Sequence, residues 1–346
     1  MAGLGLDALL VTSIPNVFYL SGFTGSTAAM IVTEEGSYIL VDPRYSIQAR
    51  NECPTTEVRD YAGKSTIVAA AELSDTLGPT ALGFEAESVS VSSYRALRSR
   101  VDRAVRVRST KGVVEVLRRT KDASEIELTR EAVRIADEGF ASVVTEIKAG
   151  MTEKQIALLI DTTLRKLGAD KEAFETIAAA GPNSACPHHS PTDAILEPGH
   201  LLKMDFGARL ANYNSDITRT ICVGKPTPKQ KEVYRIVLDA QLAAIDAIAP
   251  GKSGKEIDAV ARDYIASHGY GDNFGHGLGH GLGIEVHDGA GFSKASDMVL
   301  EPGMVMTVEP GIYIEGWGGV RTEDDVLVTE KEAEILTKAT KEFLSI

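Results

Sequence analysis

Apolar and polar residues follow two different rhythms along the chain, and the change from one to the other falls near residue 115. In the first part, short apolar runs occur at Leu9–Val11, Ala28–Val32 and Ser37–Val41, separated by turns that contain glycine. Apolar runs of this length between turn signals are typical of buried strands. The pattern therefore predicts an α/β domain over residues 1–115.

After residue 115 the apolar positions take a helical rhythm. They recur every three or four residues over 126–147, and Ser124 with Glu127 has the spacing of a capping box. A second helix is predicted from Thr152, with Gln155 as its capping partner. This part of the chain is thus expected to open with two amphipathic helices.

The same plan then returns about 100 residues later. The motif Gly-x-Thr-x-x-Gln-Ile at Gly150 reappears as Gly-x-Ser-x-x-Glu-Ile at Gly251, and Thr227-Pro228 opens another helix. A solenoid would have shorter and more numerous repeats than these two units of about 100 residues. We therefore expect a pseudo-twofold domain over residues 116–346, with the functional site where its halves meet.

Each copy of the repeat carries an acidic residue at the end of a buried strand. Leu196–Gly199 precedes an apolar run that reaches Asp205, and Leu300–Gly303 precedes one that reaches Glu309. An unpaired buried carboxylate costs several kcal/mol or more. Two of them at equivalent places favour a cation bound between the halves.

A second carboxylate follows in each half, Asp216 after Asp205 and Glu323 after Glu309. A turn between two strands would bring each pair side by side, and four such groups would repel one another. Two divalent cations would neutralise them. Carboxylate ligands favour Mn²⁺, and an added imidazole widens the choice to Co²⁺, Zn²⁺ or Fe²⁺.

Histidines are concentrated in two glycine- or proline-rich loops. His276, His280 and His287 lie within residues 275–288, while His188 and His189 follow a Cys-Pro pair. Alternating glycines make a helix improbable, so His276 and His280 are not a pair of ligands on one helical face. Each histidine taken singly is better explained as structural, but their clustering favours a site.

Composition and charge exclude several other classes of protein. The 346 residues carry a net charge of −13 without a basic stripe, which argues against a nucleic-acid partner. The chain contains no apolar run of about 18 residues, so no membrane span is predicted. The three cysteines form no CxxC motif, and no export signal is evident, so a reducing cytoplasm is expected.

The order Asp205, Asp216, His280, Glu309, Glu323 resembles the five-ligand dinuclear site of the M24 metallopeptidases, whose catalytic domain has the pita-bread fold. The matching motifs are Met204–Ala208, Ser215–Thr220, Gly279–Gly281, Glu309–Tyr313 and Val320–Asp324. Leu6–Phe23 and Val41–Arg44 resemble the creatinase-type N-terminal domain of the proline-specific members, although little of the helix that usually precedes Leu6 is present. The resemblance implies an α/β (α+β) protein with a creatinase-like domain at 1–115 and a pita-bread domain at 116–346.

The resemblance also implies roles for individual residues. The five ligands would hold two metal ions about 3.5–4 Å apart, Mn²⁺ being favoured over Co²⁺ or Zn²⁺, and a bridging water would attack the scissile carbonyl. Glu309 would also shuttle a proton to the leaving nitrogen. His188 and His287 would donate hydrogen bonds to the substrate, and His276 would line the site. Arg321 would connect the surrounding hydrogen-bond network or the substrate. Phe174 and Tyr213 would form walls of the site or, equally, belong to the core as aromatic residues.

Within this family the proline-specific branch is favoured. Methionine aminopeptidases typically lack the N-terminal domain, and their two glutamates lie further apart than Glu309 and Glu323. Proline requires a dedicated enzyme because its amide nitrogen has no N–H and its φ is fixed. The expected substrates are therefore proline-containing peptides, and relatives of this size imply a homodimer.

Dipeptidase and aminopeptidase activity are harder to separate. A prolidase usually binds the dipeptide carboxylate with an arginine just after the His287 loop, but residues 287–294 contain none. Lys294 could replace it only as a point charge, without a bidentate fit. We therefore expect an aminopeptidase P-like enzyme, with an Xaa-Pro dipeptidase as the alternative. A pita-bread binding protein without peptidase activity is disfavoured because no ligand is missing.

Overall fold

The protein is described by a computed structural model that covers residues 2–289 and 291–346. The chain forms two units, Met1–Arg118 and Arg119–Ile346. Each unit has hydrophobic clusters of its own. The division lies close to the change of rhythm that the sequence places after residue 115.

The N-terminal unit is built around one six-stranded mixed sheet. Its strands are β1 (Ala8–Val11), β2 (Ala28–Thr33), β3 (Ser37–Val41), β4 (Glu57–Asp60), β5 (Ala81–Glu85) and β6 (Arg106–Thr110), in the order β4-β3-β2-β1-β5-β6. Its helices are α1 (Ile14–Ser21), α2 (Ser46–Glu52), α3 (Thr66–Leu77) and α4 (Val91–Arg100), and a short helix α5 (Glu115–Arg119) follows the sheet. The three predicted strands are confirmed as β1, β2 and β3, and every residue of β1 is buried.

The C-terminal unit contains two long helix pairs and several small sheets. The helices are α6 (Ala123–Glu146), α7 (Glu153–Lys166), α8 (Pro228–Ala247) and α9 (Gly254–Ser267). The strands are β7 (Lys171–Glu172), β8 (Ile177–Ala180), β9 (Leu201–Phe206), β10 (Ala208–Leu210), β11 (Tyr213–Asn214), β12 (Ile217–Cys222), β13 (Val305–Val308), β14 (Gly311–Ile314), β15 (Gly318–Arg321), β16 (Asp324–Val328) and β17 (Ala333–Ile335). The predicted α/β architecture is confirmed.

The duplication seen in the sequence is also a duplication of hydrogen bonds. The Gly150 N–H donates to the Leu196 carbonyl at 2.8 Å, and the Gly251 N–H donates to the Leu300 carbonyl at 2.9 Å. The sheets repeat as well, since β9 pairs antiparallel with β12 and β13 pairs antiparallel with β16. The two halves of this unit therefore share one plan.

Strand pairing brings the acidic residues of each half together. Asp205 lies opposite Thr218 in the β9–β12 ladder, so Asp216, just before β12, lies at the same end. In the second half Glu309 follows β13 and Glu323 precedes β16. The strand ends that hold the four carboxylates are thus equivalent in the two halves.

Gly207 permits the close turn between the first two carboxylates. A Cβ at this position would lie 1.8 Å from the carbonyl oxygen of Ser215, which real atoms cannot do. The neighbouring backbone N–H of Ala208 donates a hydrogen bond to the Ser215 hydroxyl oxygen at 2.9 Å. Glycine is therefore required here by a backbone contact.

One predicted helix start was wrong. The first long helix, α6, is capped by Asp122, whose carboxylate accepts the N–H groups of Ser124 at 2.8 Å and Glu125 at 3.0 Å, and Glu125 completes the capping box. The predicted capping box of Ser124 and Glu127 is therefore not the one that opens this helix. Aspartate caps helices as well as serine does, so residue type alone did not separate the two registers. The predicted helix starts at Thr152 and Thr227 are confirmed, and Ser253, the counterpart of Thr152 in the repeated motif, is the N-cap of α9.

No helix in the described part of the chain is long and apolar enough to cross a bilayer.

We predict that Asp122→Ala lowers the free energy of unfolding by about 1 kcal/mol, because two backbone N–H groups lose their acceptor. Ser124→Ala is the matched control and should change it by much less, since its hydroxyl is exposed and bonds only Asp122. Urea unfolding followed by circular dichroism compares the two variants. An equal loss in both would contradict the observed helix start.

Candidate metal centre

The C-terminal unit contains a cavity of about 300 Å³ that is lined mainly by polar and charged residues. Its lining residues are Phe174, Glu175, Ile177, His188, His189, Ser190, Asp205, Asp216, His280, Val286, His287, Glu309, Arg321 and Glu323. All five predicted metal ligands are therefore brought together, although they are spread over more than a hundred residues of sequence.

The tightest group consists of Asp216, His280 and Glu323, which offer ligand atoms within 4.8 Å of one another. The Nε2 atom of His280 lies 3.6 Å from Oδ2 of Asp216 and 3.4 Å from Oε1 of Glu309. These distances exceed a hydrogen bond to either carboxylate, yet leave the three groups facing a common space.

The orientation of His280 argues that this space suits a cation. Its Nδ1 lies 3.1 Å from the Gly281 carbonyl, which can only accept, so Nδ1 carries the proton. Burial, followed by the neighbouring His287, lowers the pKa of His280 to about 4, and the ring is neutral at pH 7. The Nε2 lone pair then faces two carboxylates, an arrangement that a metal ion between them would make favourable.

The carboxylates themselves are poorly compensated. Burial raises the pKa of Asp216 and Glu323 well above their usual range, and the neighbouring acids raise both further. Burial also raises the pKa of Glu309 to about 7 against the opposing effect of Arg321. Oδ1 of Asp205 and Oδ1 of Asp216 are buried without a hydrogen-bond partner among the residues described. This donor set of four carboxylates and one imidazole fits divalent metal ions.

Arg321 links the two halves behind the carboxylates. Its Nη2 donates to Oδ2 of Asp205, and its Nε donates to the Thr218 hydroxyl at 2.9 Å. That hydroxyl in turn donates to Oε2 of Glu323 at 2.6 Å. One guanidinium thus orients a predicted metal ligand from each half, Asp205 directly and Glu323 through Thr218.

His188, His287 and Phe174 line the cavity, whereas His276 and Tyr213 are not among its lining residues. Nε2 of His276 lies 3.0 Å from the Tyr313 hydroxyl. The same hydroxyl accepts a hydrogen bond from Nη1 of Arg321 at 3.1 Å. His276 therefore stands behind Arg321. The Tyr213 hydroxyl donates to Oε1 of Glu125 at 2.8 Å.

Sequence reasoning missed several buried polar residues around the centre. Lys203 is fully buried, and its Nζ donates to the carbonyls of Cys186 at 2.5 Å and Pro187 at 3.1 Å. Burial first, and Arg321 second, lower the pKa of Lys203 to about 6. A signal existed, because a lysine inside an apolar strand and two positions before Asp205 shares its face of the sheet.

Asp325 was missed in the same way. It is fully buried, and its Oδ2 accepts the backbone N–H of Asp216 at 2.9 Å. It thereby helps to fix the turn that presents Asp216. The run of three acids from Glu323 to Asp325 was the sequence signal.

Comparison with known proteins assigns this architecture to a family. Residues 127–330 match metallopeptidase family M24, and residues 1–120 match the creatinase/prolidase N-terminal domain. The chain belongs to metallopeptidase family M24. Membership of this family implies the use of a divalent metal, in agreement with the donor set described above.

Similar proteins are known in sequence and in structure. The chain is 38% identical to an Xaa-Pro dipeptidase of Pyrococcus horikoshii over 98% of this chain and 95% of that protein. An Xaa-Pro dipeptidase structure from Bacillus anthracis superposes with a TM-score of 0.96 at 41% identity, covering 100% of this chain and 96% of the other. An X-Pro aminopeptidase structure from Thermotoga maritima gives 0.91 at 40% identity, covering 99% and 98%.

We predict a pH-dependent instability of the metal-free protein that originates at Glu309. Its pKa is about 7 in the folded chain against 4.5 as the ordinary value. Between these pH values the unfolded state has released a proton that the folded state keeps, so stability falls as pH rises. Below about pH 4.5 both states are protonated, and above about pH 7 the loss is complete.

The measurement compares melting temperatures of metal-stripped wild type and Glu309→Gln from pH 5 to pH 8. The melting temperature of the wild type should fall relative to that of the variant up to about pH 7. Above that pH the difference between the two melting temperatures should stay constant. Added Mn²⁺ should raise the wild-type melting temperature more at pH 8 than at pH 5, because metal binding needs ionised ligands. A constant difference between the two proteins would contradict the assignment.

Replacing Arg321 by lysine should weaken metal binding by about 10- to 100-fold, because one ammonium cannot serve Asp205, Thr218 and Tyr313 together. Titration calorimetry with Mn²⁺ measures the change. Arg130→Lys is the control, since Arg130 forms a partly exposed ion pair with Glu334 away from the cavity. Unchanged Mn²⁺ affinity in Arg321→Lys would refute this role.

Proposed function

We propose that the chain is a dinuclear-metal peptidase that cleaves the bond before proline at the N-terminus of peptides, as an Xaa-Pro aminopeptidase. The observation that carries this proposal is the convergence of five metal-donor residues on one cavity of an M24 domain. The names of its relatives, Xaa-Pro dipeptidase and X-Pro aminopeptidase, support the same substrate class.

Asp205, Asp216, His280, Glu309 and Glu323 would hold two metal ions. Mn²⁺ is favoured by the four carboxylates, and the single imidazole allows Co²⁺ or Zn²⁺. When bound, such ions polarise a carbonyl oxygen and lower the pKa of bound water so that it is nucleophilic at neutral pH. The buried acceptor atoms without partners support this assignment.

The other residues would bind and orient the peptide. His188 and His287 line the cavity and can donate hydrogen bonds to a substrate carbonyl. Glu309 lies between His280 and Arg321, where its carboxyl can carry a proton to the leaving nitrogen of proline. His276 would act from behind the cavity, through Tyr313 and Arg321.

Phe174 is a wall of the cavity and can pack against an apolar ring such as that of proline. Tyr213 would act only indirectly, because its hydroxyl bonds Glu125. Neither Phe174 nor Tyr213 would need a hydrogen bond from the scissile amide. This is compatible with a scissile bond to proline, whose nitrogen carries no hydrogen. The cavity is thus compatible with a tertiary amide.

The charge of the cavity wall favours longer peptides over dipeptides. Of the lysines and arginines that the structure describes, only Arg321 lines the cavity, and its guanidinium is occupied by Asp205, Thr218 and Tyr313. The carboxylate of an Xaa-Pro dipeptide would find no free cation there, and Glu175 adds negative charge. Xaa-Pro dipeptidase activity is the second candidate, supported by the names of the relatives, with exposed Lys294 as a carboxylate anchor.

A cytoplasmic homodimer completes the proposal. The three free cysteines support a reducing compartment, and the resemblance to dimeric members of the family supports the assembly. Sedimentation at low micromolar concentration measures the dimer, and a single monomeric species would overturn it.

Metal-stripped enzyme reconstituted with Mn²⁺ should hydrolyse Ala-Pro-Ala with a higher kcat/KM than Ala-Pro. Asp216→Ala should abolish both activities, because it removes a ligand, whereas Asp246→Ala on the exposed face of α8 should leave them unchanged. Faster cleavage of Ala-Pro would favour the dipeptidase. Full activity of Asp216→Ala would argue against metallopeptidase chemistry altogether.

A further inference from the structure

Glu153, the first residue of α7, is a fully buried carboxylate outside the metal centre. Its five donors are the Ala180 N–H at 2.8 Å and Asn183 Nδ2 at 3.0 Å on Oε1, with His189 Nε2 at 2.8 Å, the Thr192 N–H at 2.9 Å and the Thr192 hydroxyl at 2.6 Å on Oε2. Burial alone would raise the pKa of Glu153, but these hydrogen bonds lower it to about 2. The group is therefore a carboxylate at any working pH.

All five donors belong to one segment, residues 180–192. The same segment carries His188, His189 and Ser190, which line the cavity. Glu153 thus anchors a wall of the active cavity to the start of a long helix. Helix starts also favour negative charge, which adds to the stability of this arrangement.

The second half of the repeat shows that the fold itself does not need this carboxylate. The position equivalent to Glu153 is Gly254, where a Cβ would lie 2.6 Å from Oγ of Ser296 and 2.7 Å from the Gly291 carbonyl oxygen. There the Ser296 side chain and the Gly291 backbone fill the space next to Gly254. The carboxylate therefore serves something specific to the first half, and the cavity-lining segment is what it holds.

The contact with Glu153 also places a proton on Nε2 of His189. An ionised carboxylate only accepts, so Nε2 of His189 carries the shared proton. In the Nε2–H tautomer the lone pair lies on Nδ1, and no hydrogen bond to that atom occurs among the described residues. His189 lines the cavity with its side chain 13% exposed. The Nε2–H tautomer would therefore offer an acceptor on a residue of the cavity wall.

We propose that Glu153 and His189 form a substrate-positioning pair, in which Glu153 holds the ring and Nδ1 of His189 accepts the amide N–H of the residue that follows proline. This inference rests on the proposed function and extends it to substrate selection. Proline has no N–H, so this amide is the first backbone donor beyond the scissile bond. A dipeptide ends in a carboxylate, which offers only acceptors and cannot make the bond.

The pair can be observed without any turnover. In the Zn²⁺-loaded enzyme, diamagnetic unlike the Mn²⁺ form, ¹⁵N-histidine NMR distinguishes the two neutral tautomers and the imidazolium. The signal assigned to His189 by its loss in His189→Ala should show a proton on Nε2 and a lone pair on Nδ1. An imidazolium at pH 7, or the Nδ1–H tautomer, would overturn the proposal.

The kinetic test compares Ala-Pro-Ala with Ala-Pro-sarcosine, whose last amide has no N–H. Loss of one neutral hydrogen bond should cost about three- to tenfold in KM with little change in kcat. We expect His189→Ala to raise KM for Ala-Pro-Ala by this factor, and to leave KM for Ala-Pro-sarcosine unchanged. His268→Ala, an exposed histidine at the end of α9, is the matched control.

Glu153→Gln should also remove the preference for Ala-Pro-Ala over Ala-Pro-sarcosine, because its amide places a further donor among the five donors that contact Glu153. Glu153→Asp should retain part of this preference. If Glu153→Gln does not fold, His189→Ala alone decides. An equal change of KM for both substrates would overturn the role of His189. A wild-type enzyme that cleaves neither peptide would instead refute the proposed function, and the NMR result would still report on the pair.

Discussion

The structure of the C-terminal unit depends on carboxylates buried where its two halves meet. Asp205, Asp216, Glu309 and Glu323 are held together by strand pairing, and burial opposes their ionisation. Arg321 is the one arginine that lines their cavity within the described residues. A single positive charge cannot balance four acids, so the fold is complete, in electrostatic terms, only with divalent metal.

The duplicated plan supplies symmetry, and departures from it supply function. Both halves contribute a pair of acids at equivalent strand ends, which gives a centre that neither half could form alone. The neutral imidazole of His280 comes from the second half alone, and the carboxylate of Glu153 from the first alone. Gly254 replaces that carboxylate in the second half. The four acids are thus arranged symmetrically, whereas the surrounding residues differ between the two halves. A peptide is itself asymmetric, so its binding requires such a difference.

Much of this could be predicted because the signals are local. Period and length identified the first strands and both helix pairs, and the repeat predicted that its acids would converge. The order of donor types was enough for the resemblance to M24 metallopeptidases. The helix start at Asp122 was wrong by a shift of register, since Asp and Ser are comparable caps and only the observed hydrogen bonds decide between them.

The sequence by itself thus determined the elements and the duplication, because these follow from residue type and short-range periodicity, and the resemblance to M24 metallopeptidases predicted which acids and which histidine would meet at one cavity. The tertiary structure alone decided which polar groups stand behind those donors. Arg321 reaches Asp205 across 116 residues, and Glu153 bonds His189 across 36. His276 contacts Tyr313 instead of the cavity. Such pairings depend on side-chain direction and on distant segments meeting in space, which no local pattern encodes.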